Sequence, residues 1–307
     1  MNAAMMSPSP NNRLRGQMKL DEPMGQHSSW RVGGTADRYY EPADVDDLAT
    51  YLRTLPPGEP VLWVGLGSNL LVRDGGVRGS VVMTTPGLGR CEWIGDGLLR
   101  AEAGVPCPKV ARMTAKAGYA GAEFLAGIPG TMGGALAMNA GAFGGETWEL
   151  VREVETLDRA GVRRTRARAE FETGYRHVST PAEEWFVAAT LQVRKDMVGG
   201  GEERIRSLLA RRADAQPTGL PSCGSVFRNP PGDYAGRLVE SCGLKGLHEG
   251  GAQVSDKHAN FIVTRPGATA ADIEALMQRI IETVRRERGV DLQAEVRIVG
   301  EPAGGRA

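Results

Sequence analysis

The sequence predicts an α+β chain built as two units, and three observations carry that reading. Its 307 residues suffice for about two domains with well-buried cores. Short β-like runs are mixed with amphipathic stretches at helical spacing. A charged helical segment over 202 to 214 stops near Gln216-Pro217, and a second unit follows.

Each element has its own signal. Residues 1 to 19 are polar, carry proline and asparagine, and predict a disordered tail. From Asp44 to Leu55, the apolar Leu48, Tyr51, Leu52 and Leu55 recur at helical spacing until Pro56-Pro57 stops the helix. The run "VLWVGLGSNLLV" (61 to 72) predicts a buried strand that turns through Gly65 and Gly67 into another strand. Further strands are expected at 80 to 84 and 98 to 103, then a short helix over 106 to 118 with proline at its start and glycine at its end. Residues 121 to 145 are glycine-dense, while 150 to 158 and 186 to 194 read as strands. In the second unit, a Thr269-x-x-Asp272 capping box opens a helix that carries Ile273, Leu276, Met277, Ile280, Ile281 and Val284 on one face and closes at Gly289. The last strand, 290 to 300, places Val290, Leu292, Ala294, Val296 and Ile298 on one face. That leaves Glu295 and Arg297 side by side on the other.

Composition excludes several functions. Lys plus Arg equals Asp plus Glu at 37 each, so no net field favours nucleic acid or an anionic membrane. No run of about 18 apolar residues is present and the first residues lack the apolar core of a secretory signal, which predicts a soluble, cytoplasmic protein. Cys91, Cys107, Cys223 and Cys242 form no C-x-x-C pair and no zinc-spaced cluster with the four histidines. They read as reduced thiols, and no metal is expected.

Two glycine segments carry binding potential. "GLGSNLLVRDGG" (65 to 76) offers bare backbone N–H groups of the kind that bind phosphate. It lacks the Gly-Lys-Ser/Thr of a Walker loop and the third glycine of a Rossmann fingerprint, and a tight turn between strands explains it equally well. "AGIPGTMGGALAMNAGAFGG" (126 to 145) is too rich in glycine for a stable helix or sheet, yet too apolar for a linker. An ordered loop against a flat ligand or a close backbone crossover satisfies both facts. Ser225, in "PSCGSVFRNP" (221 to 230), lacks the G-x-S-x-G elbow of a hydrolase nucleophile.

Taken together, "HSSWRVGG" (27 to 34), the two glycine segments, "YRHVS" (175 to 179), "PSCGSVFRNP", "GLHEGGAQVSDKHANFIV" (246 to 263) and "EVRIVG" (295 to 300) resemble, in order, the motifs of the UDP-N-acetylenolpyruvoylglucosamine reductase family. The resemblance spans about residues 20 to 300. It implies a vanillyl-alcohol-oxidase-type FAD-binding region of two α+β subdomains, about 20 to 85 and 86 to 213, followed by an α+β substrate-binding domain over 214 to 307. The short interval between Arg176 and Phe186 matches the family's shorter form.

The resemblance also implies a reaction and a site. Non-covalent FAD accepts hydride from NADPH and passes it to the enolpyruvyl β-carbon of UDP-N-acetylglucosamine enolpyruvate, giving UDP-N-acetylmuramate for peptidoglycan. Ser225 matches the proton donor to the α-carbon, and Arg176 and Glu295 match the residues that stabilise the intermediate. Glu295 is expected to be protonated beside that negative charge. Cofactor contacts are implied at Gly65, Gly67, Ser68, Asn69 and Leu70, and at Gly127, Ile128, Pro129, Gly130, Thr131, Gly133, Gly134, Asn139, Ala140 and Gly141. Tyr175, Asn229 and Arg297 match substrate-contacting positions, and a monomer is expected. Phe143 and Thr264 depart from the family's usual tyrosine and asparagine. An oxidase on the same flavin scaffold is the alternative, and it would not need Arg176, Ser225 and Glu295 together.

Overall fold

A computed structural model of the chain describes residues 13–304. The tail expected over 1 to 19 therefore lies outside the described residues as far as residue 12, and its end needs correction. Gln17–Pro23 forms strand β1, ordered by backbone pairing with its neighbour and not by burial, which is why its polar sequence gave no sign of it.

β2 (Thr35–Glu41) pairs antiparallel with β1, and helix α1 (Val45–Thr54) then crosses to β3 (Val61–Val64). Asp44 caps α1 by accepting from the Asp47 N–H, and Leu48 and Leu52 are buried against Tyr40 and Val82. β4 (Leu70–Val72) leaves this layer, while β5 (Val77–Met83) enters it between β2 and β3, parallel to both. The sheet order is thus β1-β2-β5-β3.

A second sheet holds β6 (Cys91–Gly95), β7 (Leu98–Glu102), β8 (Val151–Asp158), β9 (Arg163–Ala167) and β10 (Glu184–Gln192), all antiparallel, in the order β9-β8-β10-β7-β6. Helices α2 (Cys107–Lys116) and α3 (Met132–Ala137) lie in the connection from β7 to β8, and α4 (Gly201–Ala215) follows β10. Their shared core contains Val110, Met132, Trp148, Leu191 and Ile205.

The third unit consists of α5 (Ala235–Ser241), the hairpin strands β11 (His248–Glu249) and β12 (Ala252–Val254), β13 (Ile262–Thr264), and α6 (Ala270–Arg288) packed over them. Both arms of the Thr269/Asp272 capping box are formed, and Gly289 ends α6 at φ 69°. The chain then returns. β14 (Arg297–Val299) pairs in parallel with β4, Arg297 opposite Leu70, so the third unit completes a layer begun beside the first glycine loop.

Two expectations change. The second glycine segment contains a short helix, α3, where glycine density had argued against one. Tertiary packing outweighs propensity there: a Cβ on Gly133 would lie 2.8 Å from that of Ala103, so glycine lets α3 press onto the end of β7. The terminal strand is regular only over 297–299, although Leu292 and Val296 are buried while Asp291, Gln293 and Arg297 are exposed, as period-two alternation requires. Among the described residues, no helix is long and apolar enough to cross a membrane.

Candidate active site

Three cavities of about 310, 420 and 380 Å³ adjoin one another in series. The first holds Ser225 and shares Ser68, Asn69, Arg176 and Glu295 with the second. The second shares Trp63, Gly65, Gly134 and Arg297 with the third, whereas the first and third have no lining residue in common. One elongated ligand can therefore pass the middle cavity and reach both ends.

The first glycine loop floors the middle cavity because β3 must turn there without side chains. Gly67 has φ 59°, and a Cβ on it would fall on the His27 carbonyl oxygen. The loop is pinned on both sides: Ser29 N–H donates to Gly67 O at 3.1 Å, and Asn69 Nδ2 donates to Glu295 O at 3.2 Å. Opposite it stands Thr131, just before α3. Its Oγ1 is buried with no hydrogen-bond partner among the described residues, and a Cβ on Gly65 would collide with that oxygen.

These features meet the needs of FAD. Bare backbone takes a diphosphate without steric cost, an unused hydroxyl is ready to donate, and the exposed guanidinium groups of Arg228 and Arg297 border the same space. Of the fifteen implied cofactor positions, all but Asn139 line one of the three cavities. Asn139 is 2% exposed, has φ 44°, and spends its carboxamide on Glu146, Gly174 O and the Trp148 N–H. Its side chain ties the glycine segment to the hairpin that carries Arg176.

Arg176 sits at the tip of that hairpin, between the paired Gly174 and His177, with a left-handed φ of 53°. Such backbone costs a non-glycine residue on the order of 1–3 kcal/mol, and strain of this kind collects at functional sites. The guanidinium Nε donates to Glu295 Oε1 at 2.7 Å and an Nη to Gly141 O at 3.3 Å. Both side chains of the ion pair are largely withdrawn from water, 18% and 9% exposed. Half-exposed Tyr175 places its ring 5.1 Å from the guanidinium carbon and lines none of the three cavities.

Ser225 and Glu295 are held in register by one residue between them. Val226 N–H donates to Asn260 O at 2.9 Å, and Val226 O accepts from the Glu295 N–H at 2.8 Å. The buried Asn260 carboxamide also closes on Phe227, accepting from its N–H at 2.9 Å and donating to its carbonyl at 2.8 Å. Buried Cys223, on the other side of Ser225, donates from Sγ to Gly67 O and Leu70 O, each at 3.5 Å. The serine thus stands on a clamped irregular segment, next to the isolated bridge of Phe227 with Ala294, while Gly224 at φ 75° gives the bend before it.

The remaining implied residues divide. Arg297 borders the middle and far cavities and not the one with Ser225. Asn229 lies outside all three; its Oδ1 accepts from the Ala235 N–H at 3.1 Å and starts α5. The two departures have local partners: Thr264 Oγ1 donates to Trp30 O at 2.7 Å, and Phe143 lines the Ser225 cavity against Gly127.

Sequence reading missed Asn260, Arg228 and Arg212. Asn260 signals itself only as a polar residue entering an apolar run. Arg212 continues the Ile205, Leu208, Leu209 stripe of α4 by spacing, so its inward direction was legible. It lines the Ser225 cavity with Gln216, to which its Nε donates at 2.9 Å, and burial lowers its pKa.

Comparison with known proteins places the chain in a family. Residues 36–166 match a family described as an FAD binding domain, and residues 216–299 match the C-terminal domain of UDP-N-acetylenolpyruvoylglucosamine reductase. The reductase of Methylococcus capsulatus is 60% identical over 94% of both chains. That of Alkalilimnicola ehrlichii is 57% identical over 93% of this chain and 96% of its own. The crystal structure of the Thermus caldophilus reductase superposes with a TM-score of 0.79 at 30% identity, covering 94% of this chain and all of that one. The fold is therefore α+β with a flavin-binding region, and with relatives this similar along nearly its whole length the chain belongs to the UDP-N-acetylenolpyruvoylglucosamine reductase family.

Proposed function

We propose that this chain reduces UDP-N-acetylglucosamine enolpyruvate to UDP-N-acetylmuramate at the expense of NADPH, as a cytoplasmic monomer in peptidoglycan precursor synthesis and so in support of cell shape and division. We take residues 20–213 as its flavin region and 214–307 as its substrate domain. FAD, when bound, supplies the chemistry of accepting hydride from NADPH and returning it to the substrate's double bond. The observation that carries the reading is the convergence of Arg176, Ser225 and Glu295 on one cavity that opens into the glycine-lined one. An oxidase would have no use for that set.

The residues act on the substrate as follows. Its carboxylate competes with Glu295 for the Arg176 guanidinium, and the pairing strengthens as charge spreads onto those oxygens in the enolate. Glu295, deprived of its partner and set beside a negative intermediate, takes up a proton and becomes a hydrogen-bond donor. Ser225 Oγ gives its proton to the α-carbon; an enolate is basic enough to need no further acid. Arg212 adds a second positive charge in the same cavity, and Arg228 and Arg297 draw the diphosphates of cofactor and substrate into the middle one.

An anaerobic absorbance titration tests the reading: NADPH bleaches the bound flavin, and UDP-N-acetylglucosamine enolpyruvate restores it. Restoration only by oxygen would favour an oxidase.

A further inference from the structure

We infer that His27 is a positioning residue for the first glycine loop: its ring donates from both nitrogens, as an imidazolium, and flavin affinity follows its protonation. The inference rests on the flavin reading and extends it to a side chain that lines none of the three cavities.

His27 ends a 3₁₀ turn, Met24–His27, between β1 and β2, and its ring stacks on that of Tyr39 with centroids 4.4 Å apart. Nε2 lies 2.8 Å from Glu22 Oε1, and Nδ1 lies 3.2 Å from the Tyr39 hydroxyl, which itself donates to Glu41 Oε1 at 2.8 Å. A carboxylate only accepts, so Nε2 carries a proton. The Tyr39 proton is committed to Glu41, so the phenol oxygen accepts from Nδ1. A neutral imidazole has one N–H and leaves one of these contacts unmade, whereas the imidazolium makes both. The neighbours hold to their roles. Burial and then Glu41 push the Tyr39 pKa up, which keeps the phenol protonated. Burial alone would raise Glu22, but hydrogen bonds from His27 and Lys19 outweigh it and hold the carboxyl below its usual range. The charged groups facing the ring are thus Glu22 and Lys19 of β1 and Glu41 of β2, while Leu66 and Met83 on the remaining side do not titrate.

The backbone of the same residue supports the loop. The Gly67 Cα packs on the His27 carbonyl so closely that no Cβ fits, and two residues on the Ser29 N–H holds Gly67 O. Solvent reaches the ring: a further cavity of about 260 Å³ is bordered by His27, Tyr39, Glu41 and Leu66, and the imidazole is 16% exposed. When the ring gives up a proton, one of the two bonds that fix residue 27 is lost and the peptide under Gly67 gains freedom. A smaller fraction of the protein then presents the loop in its binding form, and apparent affinity falls by that fraction. The sign follows: affinity is full while both nitrogens carry protons and declines as pH rises through the loss of one.

The test joins two measurements on the wild-type protein. In holoenzyme labelled with ¹⁵N-histidine, the ring resonances of His27, assigned through its own backbone, should read as doubly protonated at low pH and titrate to a single proton. Apoprotein stripped of flavin is titrated with FAD across the same pH values, followed by flavin fluorescence. FAD affinity should fall about five- to tenfold, the worth of one hydrogen bond, over the interval in which the ring titrates. A ring that carries one proton throughout, from about pH 5 to about pH 9, overturns the inference, and so does an affinity that ignores the ring's titration. His27→Gln keeps a donor but cannot titrate; it should bind FAD more weakly at low pH and lose the step. A variant that is weakened equally at every pH and keeps the step marks a packing role alone and also overturns the inference. Wild-type apoprotein that takes up no FAD at any pH overturns the flavin reading, and the coupling with it, while the spectra still report the ring's two protons.

Discussion

Ser225→Ala should leave bleaching by NADPH intact and slow flavin recovery with the enolpyruvyl substrate by roughly 10²- to 10⁴-fold, the range of general-acid contributions. Stopped-flow absorbance separates the two halves, and equal slowing of both would remove Ser225 from the proton step. At Glu295 the informative comparison is between Gln and Ala. Glu295→Gln keeps a donor and should retain far more activity than Glu295→Ala while losing one limb of the pH–rate profile; equal inactivity of the two variants with intact fold would exclude the protonated-donor role. The serine was visible in the sequence only through the resemblance of its motif, "PSCGSVFRNP", to that of the family, since no local pattern marks it as a proton donor. Asn260 was not visible, since its value lies in two bonds to Phe227, 33 positions away.

The clamp around Ser225 is an element held by side-chain chemistry. Asn260→Ala would leave a buried N–H and carbonyl of Phe227 unpaired, at a cost of about 2 kcal/mol or more. Thermal unfolding should register it as a loss of roughly 4 to 8 °C for a domain of this size, with kcat falling as Ser225 and Glu295 lose register. Gly67→Ala probes the other loop. The residue must adopt φ 59° and find room where the His27 carbonyl stands, so FAD should be lost on purification even where the protein folds; normal flavin content would refute the close-approach argument. Elements with strong local patterns were legible: α1 through its apolar spacing and proline stop, α6 through its capping box and terminal glycine. β1 and α3 were not, because one is made by pairing alone and the other by contact with Ala103. Direction was harder still to read, as Asn229 and Asn139 show: both are polar residues in site motifs, and both turn their amides to backbone.

Across the molecule, buried thiols tie stability to alkaline pH. Burial pushes Cys107 and Cys223 up to about 12 and Cys91 up to about 11, from an ordinary 9.0. Each raised value means that the unfolded chain gives up a proton first as pH rises, so stability is present below about pH 9 and falls progressively toward pH 12. Unfolding midpoints measured across that window should decline, and Cys223→Ser should respond less steeply than wild type; a flat profile would contradict the burial of these thiols. The pairing of β14 with β4 bears on how the molecule is made. Strand partners 227 positions apart, as Leu70 and Arg297 are, cannot meet during most of synthesis. The loop meant for the diphosphate is translated early but stays roofless until residues 297–299 have been made and have folded back onto it, so cofactor capture waits on the third unit.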